Sequence, residues 1–188
     1  MKRRNIPALG YALMGLLQQK PASGYDLRKT FSSTSLRSYS DSPGAIYPAL
    51  SRLEKQDLIR GQIEEGKGLR RRQIFRLTPK GLAELKNWVV SPVTRDDLIW
   101  NLGQVLLRFA FSEQAVGPAA SIELLKSVQH ALREHLPALQ HELKLMKPVA
   151  TISGRLAFES GIRQYECLLA WTRHAISTFE KERKEGSS

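Results

Sequence analysis

The sequence predicts a mainly α (α+β) chain in two parts: three short helices, a β-hairpin and a fourth helix within residues 1–90, then a purely helical part over residues 91–188. Three observations predict it. Apolar residues recur at helical spacing almost throughout the chain. Rough alternation of apolar and polar residues is confined to one glycine-split stretch near residues 58–77. Charge divides between the same two parts: residues 1–90 hold 17 Lys and Arg against 7 Asp and Glu, whereas residues 91–188 hold 12 against 11, within a net charge of +11. A module that meets a polyanion, joined to a near-neutral module, has this asymmetry, because each cation placed on a phosphate releases a condensed counterion. A soluble domain that merely happens to be basic has it too.

Leu9, Leu13, Leu16 and Leu17 define the first helix, which Lys20-Pro21 stops. Met1-Lys2-Arg3-Arg4 and the apolar stretch behind it imitate a signal peptide. Gln18-Gln19-Lys20-Pro21 lacks a small-residue cleavage pattern, however, so the segment is assigned to the fold. Ser23 caps a second helix running through Tyr25 and Leu27 to about Phe31. The third opens at Ser42-Pro43, a cap followed by a proline at the first helical position, and buries Ile46, Leu50 and Leu53. Ala45, Pro48, Ser51, Arg52 and Lys55 point away from that stripe, a small and basic face that fits a major groove. Pro48 resists the assignment, because inside a helix it removes a backbone hydrogen bond. Residues 58–63 and 71–77 form the hairpin, and Thr78-Pro79 starts a fourth helix through Leu82, Leu85 and Trp88. Three helices, a hairpin and a helix make a winged helix-turn-helix.

Ser91-Pro92 marks the boundary to the second part. A helix from about Thr94 to Phe111 shows Leu98, Leu102, Val105 and Phe109 on one face. The next carries Ile122, Leu125, Gln129, Leu132, Leu136, Leu139, Leu143 and Met146 at alternating spacings of three and four, with a kink expected at Pro137. The last carries Phe158, Ile162, Tyr165, Leu169, Thr172, Ile176 and Phe179. Two such seams expose more apolar edge than one monomeric hairpin hides, which predicts a homodimer through Leu132, Leu136, Leu139, Leu143, Ile162, Tyr165, Leu169 and Ile176. A monomeric helical bundle is the alternative.

The run Ser42-Pro43-Gly44-Ala45-Ile46-Tyr47-Pro48-Ala49-Leu50-Ser51-Arg52-Leu53-Glu54-Lys55 closely resembles the recognition-helix motif of the PadR family of transcriptional regulators. Gly24-Tyr25 resembles the family's second-helix signature, and Ile74-Phe75-Arg76-Leu77-Thr78-Pro79-Lys80-Gly81 its exit from wing to helix, so the resemblance covers about residues 8–90. It implies a homodimer with the third helix in a major groove of double-stranded DNA, the wing along the adjacent minor groove, and a proline tolerated at Pro48. It also implies a response to small aromatic effectors. The chain departs from the family at Asp57, where glycine is common, and at Ser23, where histidine is frequent before the Gly-Tyr pair.

Read physically, Ser42 and the free N–H groups at the start of the third helix, where Pro43, which has no N–H, is followed by Gly44 and Ala45, offer a phosphate site. The Tyr47 phenol suits phosphate or a base edge, or packs beside Ile46; Tyr25 joins the set through the resemblance. Arg52 and Lys55 reach phosphate or guanine, or are solvated cations. Lys67, Arg70, Arg71 and Arg72 flank the hairpin tip, where cations suit the narrow, negative minor groove. Lys2, Arg3 and Arg4 add a sequence-independent arm. Trp88, Trp100 and Trp171 are candidate walls of an effector pocket, with core packing as the duller alternative.

Other classes fare worse. The lone Cys167 forms no internal disulfide and fits a reducing cytoplasm. No apolar run approaches the roughly 18 residues of a membrane span. His130, His135, His141 and His174 lack metal-ligand spacing, and Gly66 and Gly68 lack the helix start and lysine of a phosphate loop, so neither enzyme, metal nor cofactor is expected. The expected function is a ligand-responsive repressor on a palindromic operator; the alternative is an architectural DNA-binding protein tolerant of sequence.

Overall fold

The computed structural model describes residues 6–40, 42–65, 71–146 and 150–185, and the chain falls into two compact units, Met1–Val89 and Val90–Ser188.

The first unit is a winged helix-turn-helix. Helix α1 (Ala8–Gln19) leads through the short strand β1 (Ala22–Ser23) into α2 (Gly24–Ser33) and a 3-10 turn at Ser35–Ser38. Helix α3 (Pro43–Lys55) is followed by β2 (Ile59–Glu65), β3 (Arg71–Leu77) and α4 (Pro79–Val89). The sheet order is β1-β3-β2, antiparallel throughout, with β2–β3 registered from Ile59↔Leu77 to Glu65↔Arg71. The core lies between the helices and the base of this sheet, where Leu13, Leu27, Phe31, Ile46, Leu50 and Leu85 are all but fully buried. Pro48 sits inside α3 on its exposed face, where the i−4 carbonyl that it leaves without a helix donor can be hydrated.

The exit from α3 shows why glycine suits position 57. Leu58 N–H donates to Leu53 O at 3.0 Å and Asp57 N–H to Glu54 O at 2.9 Å, the paired bonds of a Schellman turn. That turn puts its C′ residue in the left-handed region, and Asp57 has φ 59°. Aspartate tolerates this conformation better than most side chains, so the departure leaves the turn intact. At the far end of the wing Thr78 caps α4 by accepting from Gly81 N–H at 3.0 Å. Gly81 passes so close to Leu58 O that a Cβ would overlap it.

The second unit contains α5 (Arg95–Trp100), α6 (Leu102–Met146) and α7 (Ile152–Glu185), with α6 packed against both others. One expectation is corrected here. The helix expected from Thr94 to Phe111 is broken at Asn101, whose φ −131° and ψ 23° end α5 and whose carbonyl then accepts from Gln104 and Val105 N–H to start α6. Within α6 the backbone leaves helical geometry at Gly117, with φ 83° and ψ 168°, between the helix expected to end at Phe111 and the one expected from Ile122, and Pro137 sits within the second helical run. Only glycine adopts that conformation readily, and Pro118 restarts the helix immediately after it. Ser112 donates to Ser121 Oγ at 2.7 Å and Ser121 to Gly117 O at 3.0 Å, which satisfies the polar groups buried at the break.

Burial in this unit is uneven. Leu132, Leu136 and Ile162 are covered within the unit, whereas Leu139, Leu143, Tyr165, Leu169 and Ile176 are half-buried. Leu145, Ile152 and Leu156 are 61%, 69% and 58% exposed.

Candidate nucleic-acid interface

The exposed side of α3 is built by its start and its periodicity. Ser42 Oγ accepts from Gly44 N–H at 3.2 Å, which anchors the first turn and leaves Ser42, Pro43 and Gly44 exposed. Burial of Ile46, Ala49, Leu50 and Leu53 then turns Tyr47, Pro48, Ser51, Arg52 and Lys55 outward. Ala45, expected to face outward, is half-buried.

Tyr47 depends on the start of α2. A Cβ at Gly24 would stand 2.5 Å from the Tyr47 ring, so the bare glycine lets the ring lie across the α2 N-terminus. Tyr47 remains 48% exposed there and Tyr25 55%, with the Arg28 guanidinium 5.5 Å from the Tyr25 ring centroid. The α2 start is held by a capping box: Ser23 Oγ accepts from Asp26 N–H at 3.2 Å and donates to Asp26 Oδ2 at 2.6 Å. The Ser23 hydroxyl bond, followed by the Ser23 N–H and the charges of Arg72 and Lys20, holds the Asp26 carboxyl below the usual range despite partial burial.

The wing closes the other side. Because Ala22↔Phe75 and Ser23↔Ile74 pair β1 with β3, the outer end of β3 runs past the start of α2. Ser23, Gly24, Tyr25, Tyr47, Arg71, Arg72, Gln73 and Phe75 thereby line one open concavity of about 550 Å³. Two phenols, two guanidiniums and a carboxamide around an open groove are hydrogen-bond donors of the kind that suit a phosphodiester strand. Arg52 and Lys55 lie outside its lining, on the last turn of α3. Lys67 and Arg70 lie outside the described residues, as do Lys2, Arg3 and Arg4.

Sequence reasoning missed Gln73 and Arg28. The β2–β3 register brings Gln73 into the groove, and Arg28 was legible as the residue three past Tyr25 on one helix face.

Residues 13–87 match the model of the Transcriptional regulator PadR-like family. The matched stretch lies within the N-terminal unit, and there the chain is similar to PadR-like transcriptional regulators. Solved structures similar to the chain include Bacillus subtilis PadR in complex with operator DNA, 18% identical over 92% of this chain and 99% of that one, with a TM-score of 0.43. Bacillus subtilis PadR in complex with p-coumaric acid is 18% identical over 93% and 99%, with a TM-score of 0.41. A PadR-like transcriptional regulator from Bacillus cereus is 21% identical over 95% and 99%, with a TM-score of 0.40. No curated protein matches the chain.

The three tryptophans have different surroundings. Trp88 stacks flat on Tyr11, ring centroids 4.2 Å apart, with Tyr11 hydroxyl donating to Glu84 at 3.1 Å. Trp171 meets Phe109 edge-on at 5.3 Å, and Phe109 meets Phe179 at 6.0 Å. Trp100 is 79% exposed. Among the described residues no group of His, Cys, Asp or Glu is placed to hold a metal ion, and no helix is long and apolar enough to cross a membrane.

Proposed function

We propose that the chain is a homodimeric transcriptional repressor that binds a palindromic operator in the cytoplasm. The observation that carries this reading is the groove where Tyr25, Tyr47, Arg71 and Arg72 converge beside the exposed face of α3. In this reading α3 enters a major groove with Ser51, Arg52 and Lys55 toward the bases. Tyr25 and Tyr47 hold the phosphate strand between helix and wing, and Arg71 and Arg72, with Lys67 and Arg70, follow the minor groove. Ser42, Pro43, Gly44 and Ala45 form the anion-receiving start of the same helix.

Two copies are joined by the second unit. The half-covered Leu139, Leu143, Tyr165, Leu169 and Ile176 supply the seam, and the buried Leu132, Leu136 and Ile162 support it from beneath. A twofold pair reads half-sites about one helical turn apart or more. An aromatic effector fits the Trp171–Phe109–Phe179 cluster and the exposed Trp100 better than Trp88, whose face Tyr11 already covers.

Selection of genomic fragments by the purified full chain, followed by fluorescence anisotropy on the selected duplex, tests the reading. The selected duplex is expected to bind at least about 10³-fold more tightly than random duplex at physiological salt. Equal binding to all fragments favours the architectural alternative, and no binding at low ionic strength overturns both.

A further inference from the structure

β2 is the edge strand of the wing, so every second backbone N–H along it points away from β3. At Gly61 that N–H meets a carboxylate, donating to Glu54 Oε1 at 2.8 Å across from the last turn of α3. A Cβ at Gly61 would overlap the Gln73 side-chain amide and stand 2.8 Å from Glu54 Oε1, so the strand is bare where the helix carboxylate reaches it.

Glu54 is the single acid on α3, between Arg52 and Lys55. A carboxylate near a helix C-terminus is disfavoured by the helix dipole, and beside a phosphate surface it repels the ligand. Its charge-assisted bond to the wing offsets both effects. The Schellman turn at Asp57 and the Thr78 bonds to Asp57 O and Leu58 O fix the wing at its base, and the pairing of β1 with Ile74 and Phe75 holds the β3 side level with Gln62 and Gly61. Gly61 lies three residues beyond Leu58, about 10 Å along the strand, so the Glu54 bond ties the β2 edge to α3 where β1 ties β3 to the start of α2, and the two together set the angle at which Arg71 and Arg72 are carried.

We propose that Glu54 is a positioning residue, a lock that sets the pitch of the wing against α3 so that helix and wing engage one duplex together. The lock rests on the DNA-binding reading above. Its removal leaves α3 able to dock while the wing cations lose their fixed aim.

The test compares Glu54→Ala, which removes the acceptor, with Glu54→Gln, which removes the charge but keeps an oxygen at the same place. Gly61→Ala serves as a second variant that displaces the contact from the strand side. All are made in the full chain, with thermal unfolding as the check on folding. Hydrogen exchange at the Gly61 amide is expected to be at least about tenfold faster in Glu54→Ala than in the unaltered chain and little changed in Glu54→Gln. On the selected duplex Glu54→Ala and Gly61→Ala are each expected to bind about tenfold more weakly than Glu54→Gln. The salt slope should fall by about 1 to 2 as wing phosphates are released. In a chain already carrying Arg71→Ala and Arg72→Ala, the Ala–Gln difference should shrink below about twofold, since the lock then has nothing to aim.

Equal affinity of Glu54→Ala and Glu54→Gln, or a difference that persists without the two arginines, overturns the lock. If the arginine substitutions still weaken binding in that case, the DNA-binding reading stands and only the lock falls. If the unaltered chain binds no duplex, both fall.

Discussion

In the N-terminal unit the apolar residues at helical spacing close on one another, with Leu13, Ile46, Leu50 and Leu85 at or near complete burial. Along α7 the same kind of spacing leaves Tyr165, Leu169, Ile176 and Phe179 half-covered, and only Ile162 and Thr172 are buried. The difference teaches that the two units use one sequence pattern for different ends. The first encloses a core and carries its polar and cationic groups outward, where in the proposed function a polyanion meets them. The second leaves an apolar edge half-covered, which in the proposed function a second copy of the chain covers.

The largest expected effect tests the self-sufficiency of the first unit. Leu85→Ala removes a fully buried side chain between α4 and the other helices, and should cost about 2 to 5 kcal/mol in denaturant unfolding. The cost should be the same at low and high protein concentration if this core needs no partner. A cost that changes with concentration would erase the contrast between the units.

Gly117→Ala probes the second unit. Nothing lies within 4 Å of the added Cβ, so the change acts through the backbone alone, at φ 83°. It should destabilise by about 1 to 3 kcal/mol in thermal unfolding. An unchanged melting temperature would mean that the break in α6 relaxes without strain. Asp57→Gly is the opposite experiment in the first unit: it relieves a side chain held at φ 59° and should stabilise by up to about 1 kcal/mol. The exposed Asp57–Arg60 pair at 3.9 Å, which it removes, is worth little.

The smallest effect is a pH dependence confined to the second unit. Burial, and then the Arg95 charge, hold the His135 imidazole below its usual 6.5, while its ring meets Tyr165 edge-on at 5.6 Å. The unfolded chain therefore takes up this proton more readily than the folded one. Its contribution to stability is whole above pH 6.5 and falls as the pH drops below that value toward the folded pKa. His135→Gln should lose less stability than the unaltered chain between pH 7.5 and about pH 5.5, measured by paired thermal melts. Parallel losses would contradict the assignment.

How much was legible in the sequence differs between the units for physical reasons. Ser42-Pro43 and Thr78-Pro79 are start signals that act locally, so the beginnings of α3 and α4 could be read from a few residues. The wing could be read from alternation and its glycines. Asn101 was missed because an uninterrupted apolar spacing from Leu98 to Val105 masked a residue that both ends one helix and starts the next. The gap between the helices at Phe111 and Ile122 was legible, but not that Gly117 makes the break, because it depends on a backbone conformation that apolar spacing does not encode. In the groove, Tyr47 and the arginines were legible from motif and charge. Gln73, Gly24 and the Glu54–Gly61 bond depend on register and close approach across strands and helices, which spacing along one element does not encode.

Mass photometry of the full chain mixed with its selected duplex, over a range of protein concentration, bears most directly on the pairing of cationic heads by the helical unit. Two chains should arrive on each duplex together, with no appreciable population carrying one. Stable one-chain complexes at saturating protein, or free chains that stay single at every concentration, would contradict the account.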